Sequence, residues 1–299
     1  MESGSNPSVT PLAEGVALQK AGMLPQALRL FIDAANDPDP RVAAEAFRRQ
    51  ASIHRLNSKW PEAIAATHAS ADIARKNGLV DLEAEALNAE AIVYQVRGVF
   101  DAAVPLLNRV LELAGAAYPK IRGNALQNLG AIAAQQGDFP SARARFLEAA
   151  EAFRKAGYSW GEANVLNNFA RAALDHGNFA LAADMLRSAH GAARRVGDKD
   201  LISLSLMNLA EATLGGGDPR QAQEQAEEAL MFFSAADNAP RQIECLRILG
   251  DIFHAQKMSE AAISCWEQAL QLATEHEATS ELRKLGTRLD SLRSKPDSG

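Results

Sequence analysis

Cysteine is nearly missing from this chain. Cys245 and Cys265 are the two present, far apart and without CxxC spacing. They read as small core residues in a reducing compartment, with the cytoplasm as the default; a disulfide or redox pair is the alternative. The six histidines are scattered, and no HxxxH or HExxH pattern occurs, so no metal site and no cofactor are expected. Basic runs are absent and the net charge is -6, which argues against nucleic acid as the main partner, since such binding rests on clustered Lys and Arg. No apolar stretch approaches the length that spans a membrane, so membrane insertion is not expected. Residues 1–10 are rich in Ser, Pro and Gly, without a basic start or an apolar core, and read as a disordered tail rather than a signal peptide. Residues 294–299 read as a second loose tail.

What is abundant is alanine, in a chain with only 6% aromatic residues. That balance fits helices packed closely through small side chains, an all-α chain. The order behind it is a repeat. Turn residues recur at Gly22, Ser58, Gly98, Gly137, Gly177, Gly217 and Lys257, at intervals of 36 to 40. Five residues after each turn stands an alanine: Ala27, Ala63, Ala103, Ala142, Ala182, Ala222 and Ala262. Seven before each turn stands a small residue: Gly15, Ala51, Ala91, Gly130, Ala170, Ala210 and Gly250. Helices whose axes approach within about 8–10 Å need small side chains where they touch. These two positions are therefore expected where a helix meets its own hairpin partner. Two past the turn comes a large group (Leu24, Trp60, Phe100, Phe139, Phe179), expected to plug the tight end of the hairpin. Pro219 and Ser259 break that series, which predicts looser packing in the last two repeats.

The punctuation agrees. Pro25, Pro61, Pro140 and Pro219 fall just inside a second helix, where no backbone N–H is needed. Asp138, Asn178 and Asp218 stand where N-caps belong, and Gly78, Gly157 and Gly197 where helices stop. Apolar residues between turns keep the helical period, as in Leu126, Leu129, Ile132 and Ala133. One domain over 11–293 is expected, with hairpins at about 11–35, 41–77, 81–115, 119–156, 158–196, 199–236 and 240–276. A last helix at 278–293 carries Leu282, Leu285 and Leu289 on one face and is expected to cap the array.

The best-formed copies run Leu126…Leu129-Gly130…Gly137-Asp138-Phe139…Ala142…Phe146…Ala149 and Leu166…Phe169-Ala170…Gly177-Asn178-Phe179…Ala182…Leu186…Ala189. This pattern resembles the tetratricopeptide repeat (TPR) family, in the longer form of about 40 residues seen in kinesin light chain and in bacterial regulators. The resemblance covers residues 11–276. It implies a right-handed superhelical solenoid of about seven helix-turn-helix repeats with a C-terminal capping helix. First helices would line a concave inside, where family members mostly bind extended peptides or helices.

On that expectation the inward positions include Asn124, Gln127, Asn128, Ala131 and Gln135 in the fourth repeat. In the fifth they are Asn164, Asn167, Asn168, Arg171 and Asp175, and in the sixth Leu204, Met207, Asn208 and Glu211. Asn128, Asn168 and Asn208 recur every 40 residues. An amide offers two donors and an acceptor, so a ladder of amides suits gripping the backbone of an extended chain. The same amides would equally well bond the next repeat. Mixed charges flank the ladder: Glu45, Arg48, Arg49 and Glu85 on one side, Glu244, Arg247 and Asp251 on the other. His54, His176 and His254 lack a partner carboxylate or nucleophile at a spacing that argues for catalysis, so the chain is expected not to be an enzyme.

The function expected is a scaffold or adaptor binding an extended segment of another protein through Asn124, Gln127, Asn128, Asn164, Asn167, Asn168, Arg171, Asp175, Asn208, Glu211 and Arg247. The alternative is a regulatory sensor that binds a small ligand or signalling peptide and acts on a partner chain. Homo-oligomers through the terminal repeats are a third reading.

Overall fold

The computed structural model describes residues 10–293, which form fifteen helices. Of the expected tails, 1–10 and 294–299, residues 1–9 and 294–299 lie outside the described residues, and Thr10 caps the first helix by accepting from Ala13 N–H. Fourteen helices pair into seven hairpins: α1 (Pro11–Lys20) with α2 (Leu24–Ala34), α3 (Pro40–Leu56) with α4 (Trp60–Lys76), α5 (Val80–Val96) with α6 (Phe100–Ala114), α7 (Pro119–Gln135) with α8 (Phe139–Lys155), α9 (Ser159–Asp175) with α10 (Phe179–Val196), α11 (Lys199–Gly215) with α12 (Pro219–Ala235), and α13 (Ala239–Ala255) with α14 (Ser259–Glu275). α15 (Thr279–Arg293) follows alone. The chain falls into two compact units. One holds residues up to 137 together with 147–156; the other holds 138–146 and everything from 157 onward.

All seven turn positions adopt the left-handed conformation, with φ between 56° at Ser58 and 90° at Gly217. A first helix reverses into its partner through this one residue, and a side chain there costs about 1–2 kcal/mol. Five of the seven are accordingly glycine, and Ser58 and Lys257 bear the strain. Side chains close the second-helix starts as expected: Asp138 accepts from Ser141 N–H, Asn178 from Leu181 N–H and Asp218 from Gln221 N–H.

The seven alanines five past the turn are all fully buried. The small residue seven before the turn faces the residue nine after it, and their sizes are matched. A Cβ on Gly15 would lie 2.7 Å from Phe31, and one on Gly250 would lie 2.2 Å from Trp266 Nε1. Where the small residue is alanine, the residue nine past the turn is Thr67, Leu107, Leu186 or Ala226. A second row repeats the rule deeper in the hairpin, where a Cβ on Gly123 would lie 2.6 Å from Phe153.

The large group two past the turn has a different role from the one its position suggests. Phe139 stacks on His176 at 4.5 Å, and Phe179 lies over Gly215. Both therefore reach the following hairpin rather than plugging their own. The residue starts a second helix, whose side chains lean toward the N-terminus and so over the next turn. Where the sixth repeat has Pro219 instead, Gln256 of the next hairpin donates to the Pro219 carbonyl at 3.3 Å and to Gln223 Oε1 at 3.1 Å. A polar clasp thus replaces the ring. Leu285 and Leu289 of α15 are buried, with Leu282 partly buried beside them, against Ile243, Leu246, Trp266, Ala269 and Ala273 of the last hairpin.

Candidate functional site

In the second unit, the first helices α9, α11 and α13 together with α15 wall a cavity of about 460 Å³. Seven of the expected site residues line it: Asn167, Asn168, Arg171, Asp175, Asn208, Glu211 and Arg247. Leu204 and Met207 add an apolar strip, and Arg241, Glu244, Glu281, Lys284 and Arg288 complete the wall.

Its charges form a network that steps from repeat to repeat. Arg171 donates to Glu211 at 2.8 Å and to Asp175 at 2.7 Å. Arg247 Nη2 lies 3.6 Å from the same Glu211, and its Nη1 donates to Asp251 at 3.2 Å. Arg288 grips Asp251 with two bonds of 2.6 and 2.9 Å. Burial works to raise the Glu211 pKa, but Arg247 and Arg171 outweigh it and hold the carboxyl below its ordinary value. The partners likewise raise Arg171, against burial, and the bond to Asp251 raises Arg288. Cations and carboxylates are thus interleaved along the wall.

The amides divide by environment. Asn167 and Asn208 are buried. Asn208 Nδ2 reaches Asn167 Oδ1 at 3.4 Å, while Asn167 Nδ2 donates to Ser205 Oγ at 3.3 Å and to the Ala163 carbonyl at 3.1 Å. These rungs tie α9 to α11. Asn168 is exposed and lines the cavity; one N–H goes to Asn164 Oδ1 at 3.3 Å. Asn164 is half-buried beside it.

The remaining expected residues lie in the first unit. Asn124 is exposed and lines a smaller cavity of about 180 Å³ with Arg48, Arg55, Glu85, Asn88 and an apolar floor that includes Ile92, Val93 and Ile121. Asn128 Nδ2 donates to Asn88 Oδ1 at 2.9 Å, a bond between α5 and α7. Gln127 is half-buried and lines neither cavity. Glu45 pairs with Arg48 and Arg49, which hold its pKa down against burial; burial pushes Glu85 up, with Arg48 opposing.

Asn88, Arg241, Glu281, Lys284 and Arg288 were missed as site residues. A signal for them exists in the repeat register. Asn88 stands ten before its turn, as Gln127 and Asn167 do. Glu281, Lys284 and Arg288 fall 40 residues past Arg241, Glu244 and Ile248, so α15 continues the series of first helices. Its leucine face points to a cap, and that reading hid the polar face.

Of the three histidines, His176 stacks on Phe139, His254 lies 5.9 Å from the Trp266 ring, and burial lowers the His54 pKa. Among the described residues no group of three or more His, Cys, Asp or Glu is placed to hold a metal ion, and no helix is long and apolar enough to cross a membrane.

Comparison with known proteins bears on the fold. A family model described as tetratricopeptide repeat matches residues 122–195. No curated protein sequence gives a significant match. Among solved structures, the chain is similar to the apo form of the quorum sensor NprR from B. thuringiensis (TM-score 0.69, 13% identity, 88% of this chain and 75% of that one). It is similar to apo RapI (TM-score 0.65, 12% identity, 90% and 98%). It also resembles aspartyl phosphate phosphatase F from Bacillus subtilis (TM-score 0.66, 14% identity, 88% and 69%). With seven hairpins of one register, a tetratricopeptide-repeat match over the fourth and fifth, and these structural neighbours, the chain has the fold of a tetratricopeptide-repeat-like solenoid.

Proposed function

We propose that the chain is a protein-binding scaffold that takes an extended segment of a partner protein in the cavity walled by α9, α11, α13 and α15. The observation that carries this is the convergence of side chains from four separate helices on one opening of about 460 Å³. That volume lies within the roughly 300–1,000 Å³ of known ligand sites. Asn168 offers a free oxygen and N–H to a peptide backbone, and the interleaved charges of Arg171, Asp175, Glu211 and Arg247 favour a segment carrying both signs over a strongly acidic or basic one. Asn167 and Asn208 would set the spacing of the helices, with Asn168 and Arg171 making the contact. The test is a pull-down with the wild type and with an Asn168→Ala, Arg171→Ala variant shown by circular dichroism to be folded. The variant is expected to lose partners that the wild type holds; unchanged retention would refute the assignment.

A second reading, a sensor that binds a small ligand or signalling peptide and acts on another chain, has one specific support. Similar structures include a quorum sensor and a Rap protein complexed with Competence and Sporulation Factor (TM-score 0.65, 15% identity). A ligand-dependent change in solution scattering radius would favour it, and a radius unchanged by a ligand that demonstrably binds would count against it.

A further inference from the structure

Away from the cavity, the second helices α12 and α14 leave a groove of about 260 Å³ floored by Leu230, Leu246 and Leu272. Leu246 comes from α13 and is buried, while Leu230 and Leu272 are partly buried. Gln268 and Gln271 of α14 line it as well, and so does Ser234 of α12. Met231 stands three residues before Ser234, on the same stripe of α12, and is 70% exposed, the most of any large apolar residue described. One exposed methionine by itself means little. Beside an apolar groove it extends the uncovered surface into a patch.

The charges around the groove are of one sign. α12 and α14 carry Glu224, Glu227, Glu228, Glu260, Glu267 and Glu275, all exposed, against Arg220 as their only Lys or Arg. Glu227 stands one turn before Leu230, Glu228 one turn before Met231, and Glu267 and Glu275 one turn either side of Gln271. Glu227 and Glu275 accept from Gln223 and Gln271 at 2.8 and 3.0 Å, and among the described residues neither they nor Glu228 has a basic partner. α10, the second helix before them, has the opposite balance: Arg187, Arg194 and Arg195 against Asp184, with Gly191 at the place of Met231. Apolar patch and acidic surround thus coincide at α12 and α14 and are both missing from α10. Carboxylates without cations raise a negative potential that draws positive charge and repels phosphate. That rules out a nucleic acid or an anionic lipid surface as the cover. A small cation would leave the leucine floor open to water.

We propose that the outer face of α12 and α14 is a second docking surface, for a basic segment of a partner protein that sets one aliphatic side chain into the leucine groove beside Met231. Lys or Arg residues flanking that side chain meet Glu227, Glu228, Glu267 and Glu275. The cavity is walled by first helices and carries both signs of charge; this surface lies on second helices and carries one. The two select different segments, and neither depends on the other.

The test uses the full chain and random peptides displayed on phage. Enriched peptides are synthesised with a fluorophore, and polarisation gives their affinities for the wild type, for Met231→Ser and for a Glu228→Lys, Glu275→Lys variant. All three positions are exposed, and circular dichroism checks the folds. Peptides released by Asn168→Ala, Arg171→Ala but held by these variants are assigned to the cavity. The expected result is a set of peptides with Lys or Arg around one Leu, Ile or Met. Charge reversal should weaken them about tenfold or more, since like charges are brought together, and changing their Lys and Arg to Glu should restore binding to the reversed variant. Changing their apolar residue to Ser, or Met231→Ser, should weaken them about threefold or more on burial lost. If the wild type enriches no basic peptide, or the reversed variant holds them as tightly, the surface is refuted while the cavity stands or falls on its own variant. If charge reversal matters but neither Ser change does, the attraction is general and the groove is refuted as an anchor. If the wild type sediments as a dimer and Met231→Ser as a monomer, the occupant is a second copy and the proposal of a partner segment falls.

Discussion

The size matching inside the hairpins makes a prediction that a loose helical array would not. Gly250 on α13 lies under Trp266 of α14, which is 2% exposed and donates its Nε1–H to the Arg247 carbonyl. Gly250→Ala adds one methyl group. In an exposed helix that change stabilises by about 1 kcal/mol, because alanine is the better helix former. Here the new Cβ would lie 2.2 Å from the indole Nε1, and the ring must retreat by on the order of 1 Å to restore contacts near 3.5 Å. Overpacking of this kind costs about 1–3 kcal/mol, and losing the indole hydrogen bond costs about 1 more. The net expectation is destabilisation by about 1–3 kcal/mol once the propensity gain is subtracted. Trp266→Leu alone should cost about 3–5 kcal/mol or somewhat less, as large-to-small core changes do. In that background, however, Gly250→Ala recreates the alanine–leucine pairing found at Ala91 with Leu107 and at Ala170 with Leu186. It should then stabilise by about 0.5–1 kcal/mol. Urea denaturation followed by circular dichroism measures all four proteins, and the sign reversal of Gly250→Ala between backgrounds is the observable. A stabilising Gly250→Ala in the wild type, or effects that simply add, would refute the size-matching rule.

Four further outcomes follow from the same geometry. Asn167→Ala leaves the buried Asn208 amide without its acceptor and takes a donor from Ser205 Oγ, which keeps its bond to the Leu201 carbonyl, and should cost about 1–2 kcal/mol in urea denaturation, whereas Asn168→Ala should stay within about 0.5 kcal/mol. Glu211 has a folded pKa below its ordinary value, so its stabilisation is present above the unfolded pKa and is lost as pH falls through the folded one. Glu211→Gln should therefore lower the melting midpoint at neutral pH, and its gap from the wild type should close in acid. Burial raises Cys245 to about 12 and moves Cys265 in the same direction with less of it covered. A thiol reagent at neutral pH should label native Cys265 first, and equal rates would contradict the packing of α13. Lys257→Gly removes a side chain from a left-handed turn with φ of 63°, and the strain relieved, less the entropy of the added glycine, leaves about 0.5–1 kcal/mol of stabilisation to be read from the urea midpoint.

The hairpins were legible because their determinants are local. A left-handed turn selects glycine, a helix start selects Asp or Asn, and a close helix contact selects Gly or Ala, so each leaves a residue at a fixed distance from the turn. The turn series kept its register even where the residue type failed: Ser58 and Lys257 adopt the same conformation as the five glycines. The aromatic after the turn was read one contact short. Its sequence position ties it to its own hairpin, but Phe139 and Phe179 pack on the next one, and nothing local marks that distance.

The site was legible only as a stripe. Recurrence every 40 residues records that Asn128, Asn168 and Asn208 occupy equivalent places on equivalent helices; what each amide does depends on the neighbouring helix. Asn208 is buried with Asn167 across the α9–α11 contact, Asn128 bonds Asn88 across the α5–α7 contact, and Asn168 alone of the three is exposed. One residue type at one register thus serves as an inter-repeat tie in two places and stands exposed in the third. The same reasoning ties packing to the proposed site at α13. Trp266 fills the space left by Gly250 and, from there, fixes the Arg247 backbone that presents a guanidinium to the cavity. Gly250→Ala is therefore expected to weaken any ligand that engages Arg247 even at temperatures where the array stays folded. A ligand affinity unaffected by a destabilising Gly250→Ala would show that Arg247 is positioned by its carboxylates alone.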